Sequence, residues 1–564
     1  MSYVRQPDKL FRMIAVFVAA MVVLALAGTA IPAQAKTPTI VYALPGGTGE
    51  PNSPDCCTIA QGRDGNLYVT TQWGGHVGPG GTVFKVTPSG TATDVETSIP
   101  WPFGVTLGTD GNFYGATIFG GTSGLGTVYK LTPKGVLTVL YSFTGGTDGD
   151  RPYAPPIEGT NGIFYGVTTS QSVPDSTAYS VTSNGVFKTI HTFTGPDGQD
   201  LLAMVQGTDG NFYASTGAGG TSNNGVIFKM TPAGKVTVLH NFTGTDGSGG
   251  GYALIQAHDG NFYGVADGGT SGAGVIFKIT PGGTYTVIHN LNGTTDGSFP
   301  NSSLVQATDG NLYGVTSNQN ALDIGTVYKV KTSGTFTTLY TFTSGYTFSP
   351  DGGYPQSPLR QHTNGLLYGT TFTGGDSSCS TSIYSGGEYH DVPGCGLIYS
   401  LDIGAKPLVS LVSTTGKEGA NIGILGQGFS SSSVVEFGGV QATSIKLTGK
   451  TFISATVPTG ALTGSVTVTT GSTKLASNTE FRVTPTFPSF SPSSGPVGTP
   501  VVLTGTGLTQ TTKVTFGGVK ATNVTVNSDN QVTAYVPTGA VTGKIVITTK
   551  GGSAKSKTDF TVTQ

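Results

Sequence analysis

Asp64-Gly65-Asn66-Leu67-Tyr68 reads as a tight turn running into an aromatic strand, and six further copies of the phrase follow it. They are Asp110-Gly111-Asn112-Phe113-Tyr114, Asn161-Gly162-Ile163-Phe164-Tyr165, Asp209-Gly210-Asn211-Phe212-Tyr213, Asp259-Gly260-Asn261-Phe262-Tyr263, Asp309-Gly310-Asn311-Leu312-Tyr313 and Asn364-Gly365-Leu366-Leu367-Tyr368. The spacing is 46 to 55 residues. In each copy the Gly accepts the positive φ of a hairpin turn, and the residues after it favour a pleated surface. A period near 50 filled with short strands belongs to repeat architectures built from one small sheet per unit.

The unit from Gly251 to Phe299 shows the sheet. Ala253-Leu254-Ile255-Gln256, Asn261-Phe262-Tyr263-Gly264-Val265, Val275-Ile276-Phe277-Lys278-Ile279 and Thr284-Tyr285-Thr286-Val287-Ile288 are four strands, separated by Asp259-Gly260, the Gly268-Gly269 loop and Pro281-Gly282-Gly283. Four antiparallel strands per unit is a propeller blade. The last unit stops after its third strand, Leu397-Ile398-Tyr399-Ser400-Leu401. The expected mature N-terminus meanwhile carries Ile40-Val41-Tyr42-Ala43-Leu44-Pro45-Gly46-Gly47, a copy of the fourth strand Val139-Leu140-Tyr141-Ser142-Phe143-Thr144-Gly145-Gly146. A spare strand at the start fills the vacancy at the end and removes the exposed sheet edges, so the expectation is a closed seven-bladed β-propeller rather than an open solenoid. Tyr68, Tyr114, Tyr165, Tyr213, Tyr263, Tyr313 and Tyr368 on second strands, and Phe84, Tyr129, Tyr179, Phe228, Phe277, Tyr328 and Tyr399 on third strands, are read as packing between blades.

With its Asp-Gly-Asn-Phe-Tyr-Gly turn-strand, Gly-Gly loop, Gly-Thr-Val-Phe-Lys strand (Gly81 to Lys85, Gly126 to Lys130) and Thr-Pro-x-Gly turn (Thr87 to Gly90, Thr132 to Gly135), the unit resembles the GloVer tandem repeat of exported bacterial choice-of-anchor proteins. The resemblance covers about residues 39 to 404. It implies export and architecture more than any chemistry.

A second repeat follows Lys406-Pro407. Val434 to Ala442, with Phe437-Gly438-Gly439, recurs as Lys513 to Ala521, with Phe516-Gly517-Gly518, and Ala455-Thr456-Val457-Pro458-Thr459-Gly460 recurs as Ala534-Tyr535-Val536-Pro537-Thr538-Gly539. Both pairs are offset by 79 residues, and short alternating strands over that length indicate immunoglobulin-like β-sandwiches. Ser491-Pro492-Ser493-Ser494-Gly495-Pro496 and the Phe-Gly-Gly-x-x-Ala segment resemble IPT/TIG domains. The expected organisation is a signal peptide at 1–35, the propeller at 36–405, and IPT/TIG domains at 406–485 and 486–564.

Arg5, Lys9 and Arg12, the apolar run Met13 to Ala27 and then Ala33-Gln34-Ala35 form a secretory signal with cleavage expected after Ala35, an uncleaved anchor being the alternative. The expected location is therefore secreted, periplasmic or cell-surface, with no membrane span in the mature chain. Export makes disulfides available: Cys379 with Cys395 is the favoured pair, Cys56 and Cys57 stay open, and a metal site near His390 is the rival reading. Charged residues make up 10% of the chain and the net charge is −2, so no basic stripe is available for nucleic acid, TIG domains in DNA-binding proteins notwithstanding.

In a propeller the loops from strand two to three, and from strand four to the next blade, share one face. Here they hold Trp73, His76, Phe119, Asp267, Phe372 and Asp376 as candidate ligand-binding residues. They also hold a recurring Asp-Gly at Asp148, Asp197, Asp246, Asp296 and Asp351, whose carboxylates suit calcium or a polyhydroxylated ligand; the alternative is that each Asp bonds its own turn. Calcium is the one cofactor considered, and no other is expected. His191, His240 and His289 share one fourth-strand position with Tyr141 and Tyr340, which favours a structural role. No Gly-x-Ser-x-Gly or His-Glu-x-x-His motif is present. The leading expectation is a non-enzymatic exported protein that binds carbohydrate or a cell-surface protein through this face, with the Ig-like pair as spacer. A structural envelope component and a propeller enzyme of lactonase or glycan-lyase type are the alternatives.

Overall fold

The computed structural model describes residues 36–45, 58–72, 80–169, 176–250, 252–317, 325–343, 349–378, 380–385 and 388–564. The signal sequence, Trp73, His76, Cys56, Cys57 and Cys379 therefore lie outside the described residues. Every regular element among those described is a strand, and none is a helix able to cross a membrane.

Seven four-stranded antiparallel sheets follow the repeat. In the fifth blade the strands are Ile255–Gln256, Phe262–Ala266, Val275–Ile279 and Tyr285–Asn290, paired in that order. The seventh sheet is the closure: Thr39–Ala43 pairs antiparallel with Leu397–Leu401, Ile40 opposite Tyr399 and Ala43 opposite Leu397. Leu44 N–H continues the ladder to Gly396 O at 3.1 Å, and its side chain is fully buried among Ile59, Leu67 and Phe84 of blade one. Burying one such side chain contributes roughly 1.5–3 kcal/mol. Gly90, at φ 94°, packs its α-carbon against Val41 O so closely that a Cβ would lie 2.4 Å from that oxygen. Gly135 meets Val95 O of its preceding blade in the same way, at 2.3 Å, so the borrowed strand is treated by its neighbour as an ordinary fourth strand.

Aromatic packing joins the blades as expected. Tyr114 stacks on Phe164 at 3.7 Å and Tyr213 on Phe262 at 3.9 Å, each ring meeting the next blade's second strand. The repeated Asp-Gly phrase is explained by the same Tyr: Asp259 accepts hydrogen bonds from Asn261 N–H at 3.1 Å, Asn261 Nδ2 at 2.9 Å and Tyr263 Oη at 2.7 Å. Where Asn replaces Asp, the polarity reverses, and Asn364 Nδ2 donates to Tyr368 Oη at 2.8 Å. A ring of carboxamides stitches this face together, Gln206, Gln256, Gln306, Gln361 and Gln61 each accepting a backbone N–H from the preceding blade's turn at 2.7–3.1 Å. Blade two carries Leu107 there, and Arg63 Nη2 donates to Thr109 O at 2.7 Å across that junction instead.

The segment between the second and third strands of blade seven, read from sequence as a loop, contains an antiparallel hairpin, Ser380–Ser385 with Glu388–Pro393. Cys395 behind it is fully buried. Its expected bridge to Cys379 remains an expectation.

Beyond the propeller, two sandwiches of identical strand order follow, each a four-stranded and a five-stranded sheet. Phe437, Ile453 and Phe481 centre the first core, and Phe516, Val532 and Phe560 the second. The first sandwich lies against the turn face of the propeller rather than standing free. Thr451 Oγ1 donates to Arg63 O at 2.8 Å, the Arg63 guanidinium sits 4.4 Å from the Phe452 ring centre, and Gln427 Nε2 donates to Thr363 Oγ1 at 2.8 Å. Arg482 also donates to Thr208 O. Arg63 and Thr363 bracket the seam between blades seven and one, while Thr208 lies in the corresponding turn of blade four.

Candidate functional site

Covering the turn face leaves the opposite face, built from the Gly-Gly loops and the connections between blades, as the candidate recognition surface. Its framework is the recurring Asp. Asp148 accepts from Thr144 N–H at 2.8 Å, Thr144 Oγ1 at 2.7 Å, Gly146 N–H at 3.1 Å and Tyr141 Oη at 2.9 Å. Burial pushes its carboxyl up, but these hydrogen bonds outweigh it and hold the group below the ordinary carboxylate range. Asp351 is held down in the same way by Ser349, Thr343 and Tyr340. In the blades between, His takes the Tyr position: His191, His240 and His289 Nε2 lie 2.7, 3.0 and 2.9 Å from Asp197, Asp246 and Asp296. The fourth-strand ring also stacks on the next blade, Tyr141 on Phe187 at 3.6 Å and His240 on Tyr285 at 3.9 Å. Each of the five carboxylates is thus occupied within its own blade. Among the described residues no group of three or more His, Cys, Asp or Glu side chains converges as a metal-ligand set.

A few residues after that Asp-Gly, the backbone does something the sequence did not announce. Trp101, Arg151, Asp200, Phe299 and Tyr354 occupy one structural position in five blades, at φ 49°, 50°, 56°, 55° and 52°, and Gly249 at φ 59° holds it in a sixth. The left-handed region costs a bulky residue roughly 1–3 kcal/mol. Main-chain hydrogen bonds impose it. The N–H groups of Arg151, Gly249 and Phe299 donate at 3.0 Å to Leu125 O, Asn224 O and Ala273 O of the preceding blade. The carbonyls of Trp101, Arg151, Asp200 and Phe299 accept from Ile118, Thr169, Gly217 and Ser317 at 2.9–3.3 Å. The backbone is therefore common to the blades while the side chain differs in every one. The signal was present as Asp-Gly-x-x-Pro, in Asp148 to Pro152, Asp296 to Pro300 and Asp351 to Pro355.

Phe119, one of the residues anticipated from sequence, belongs to a cluster with two members of this ring. Its ring meets Trp101 edge-on at 5.3 Å, and the Arg151 guanidinium lies 5.5 Å from its centre. Phe103 and Tyr153 pack edge-on at 5.2 Å beside them. Asp267 lies in blade five, half-buried, with Oδ1 meeting no hydrogen-bond donor among the described residues, and burial pushes its carboxyl up to about 6. Phe372 is half-buried against the core of blades six and seven, its N–H donating to Gly353 O and Tyr354 O at 3.0 and 3.2 Å. Asp376 is exposed and caps Ser378 N–H at 2.8 Å. Of the six anticipated residues, the four that are described, Phe119, Asp267, Phe372 and Asp376, are spread over three blades. Trp101, Phe103, Arg151 and Tyr153 are the members sequence reasoning missed.

Fold and face together define a closed seven-bladed β-propeller carrying a tandem pair of Ig-like modules. The chain belongs to the Gloeobacter/Verrucomicrobia repeat family, whose model matches residues 57–175 and 158–383, and an IPT/TIG domain matches residues 485–562. The module before it is related to that TIG domain by the repeated strand order rather than by a family match. No curated protein matches the chain. Among solved structures, virginiamycin B lyase from Staphylococcus aureus is similar at 14% identity and TM-score 0.41, over 62% of this chain and 96% of that one. The aldose sugar dehydrogenase of Streptomyces coelicolor follows at 14% identity and TM-score 0.36, over 66% and 99%. The surface glycan-binding protein SGBP-B of Bacteroides uniformis matches at 23% identity and TM-score 0.15, over 27% and 48%.

Proposed function

We propose that the protein is an exported, non-enzymatic binding protein whose loop face recognises a carbohydrate or a protein ligand. The observation that carries this reading is the left-handed ring: six blades hold one backbone geometry, and the side chains there run Trp101, Arg151, Asp200, Gly249, Phe299 and Tyr354. Packing needs would repeat from blade to blade, whereas recognition needs variety. The Trp101, Phe119 and Arg151 cluster supplies flat apolar surface with a fixed cation beside it, and Asp267 supplies a carboxylate with unused acceptor capacity. Stacking faces flanked by charged hydrogen-bonding groups suit sugar rings. Repeat and TIG modules of this kind support an extracellular setting, and the Ig-like pair serves to present the propeller. Calcium remains part of the proposal as a loop-face ion.

A glycan array and a calcium titration by calorimetry on residues 36–564 test the reading. Saturable binding without turnover, weakened at least tenfold in Trp101→Ala, supports it. Silence on both, or binding unaffected by Trp101→Ala and Asp267→Asn, transfers the protein to the structural envelope reading.

A further inference from the structure

Leu411, Val412 and Leu425 of the first Ig-like module cap the propeller channel at the turn face, over a partly open cavity of about 350 Å³ that extends along the inner strands toward Ala154, Ala203 and Ala253. Register identifies the inner-strand position of every blade, because it pairs with the repeated second-strand Tyr. That position holds Ala60, Thr106, Ile157, Val205, Ile255 and Val305 in blades one to six, and Arg360 in blade seven. Six blades are neutral there and one carries a permanent cation.

Arg360 lines the cavity, and its Nε is buried with no acceptor among the described residues. Thr58, on the wall of the adjoining blade one, also has a buried Oγ1 with no partner among the described residues. No Asp or Glu is among the described residues that line it, so none of them supplies the guanidinium with a counter-ion. A charge against a largely apolar wall is poorly solvated without a partner, and a guanidinium fork is shaped for two parallel hydrogen bonds to a carboxylate. The remaining wall is largely aliphatic, including Ile59, Val105, Met204 and Leu425. A ligand for this space therefore needs one compact anion and an apolar body.

We propose that the capped channel is a binding site for a small aliphatic monocarboxylate, paired to Arg360 with the Thr58 hydroxyl as second donor. It is separate from the loop face and does not depend on what that face recognises.

Calorimetry and thermal melting of the chain from residue 36 to 564 with sodium hexanoate test the site, with hexylammonium chloride and sodium chloride at equal ionic strength as controls. Hexanoate should give a saturable heat and a melting temperature that climbs with its concentration, while neither control does. Arg360→Met should weaken hexanoate at least tenfold, and Trp101→Ala on the loop face should leave it unchanged. Absence of saturable hexanoate binding up to about 10 mM, equal binding of hexylammonium, or full affinity in Arg360→Met overturns the proposal. Should Arg360→Met not fold, the contrast between hexanoate and hexylammonium on the unmodified protein decides alone.

Discussion

Tyr399 and Gly369 sit directly opposite each other on adjacent strands, and the pair shows how one residue dictates another. A Cβ on Gly369 would come within 2.5 Å of Tyr399 Oη, so the ring occupies space that only glycine leaves. That hydroxyl is buried with no hydrogen-bond partner among the described residues. Tyr399→Phe should therefore be neutral or stabilising by up to about 1 kcal/mol, because an unpaired buried hydroxyl is removed. Gly369→Ala should destabilise by about 1–3 kcal/mol through overpacking. Urea denaturation measures both, and a Phe variant clearly weaker than wild type would refute the account. Asp267 gives a pH-dependent counterpart. Its carboxyl is raised from 3.8 to about 6 by burial, so the native state holds a proton that the unfolded chain releases between those values. Stability is then lost as pH rises through that window. Asp267→Asn should raise stability at pH 7.5 by on the order of 1 kcal/mol and leave it unchanged below pH 4, as judged by melting curves. An equal effect at both pH values would count against it.

Among the elements, the strand Thr39–Ala43 matters most, since it alone completes the seventh sheet. It satisfies the outer edge of Leu397–Leu401, buries Leu44, and receives Gly90 of blade one as an ordinary fourth strand would. Deleting residues 39–44 should lower stability by more than about 3 kcal/mol and expose the edge to association. Melting temperature and light scattering provide the test, and an unchanged melting temperature would sink the clasp. This element was legible because it copies a local pattern found again at Val139 to Phe143. The Asp-Gly turns and the Tyr ladder were legible for the same reason: their chemistry lies within five residues. The left-handed ring was not, because Trp, Arg, Phe and Tyr are poor candidates for positive φ and are held there by carbonyls of a neighbouring blade.

At the scale of the whole molecule, a buried histidine helps join blade seven to blade one. His362 is fully buried, with Nε2 donating to Gly65 O at 2.9 Å and Nδ1 accepting Asn364 N–H at 3.1 Å. Burial lowers its pKa from 6.5, so it is neutral in the folded ring. The unfolded chain takes up a proton first as pH falls, and the stabilising contribution, complete above 6.5, is lost on descending through the lowered value. His362→Gln should flatten stability between pH 7 and 5 relative to wild type. Parallel pH profiles for the two proteins would contradict this.

The count of blades, the turn chemistry that separates their strands, the borrowed first strand and the pair of sandwiches all follow from the amino-acid sequence alone. All of these are local patterns repeated at a fixed offset, and φ preference and strand alternation act over a few residues. Long-range contacts settle which face is covered, which side chains converge near Phe119, and that Arg360 lines the channel. Those outcomes depend on contacts such as Gly65 with His362, 297 residues apart, and Arg63 with Thr451, 388 apart. At such separations neither partner carries a local mark of the other, so geometry alone brings them together.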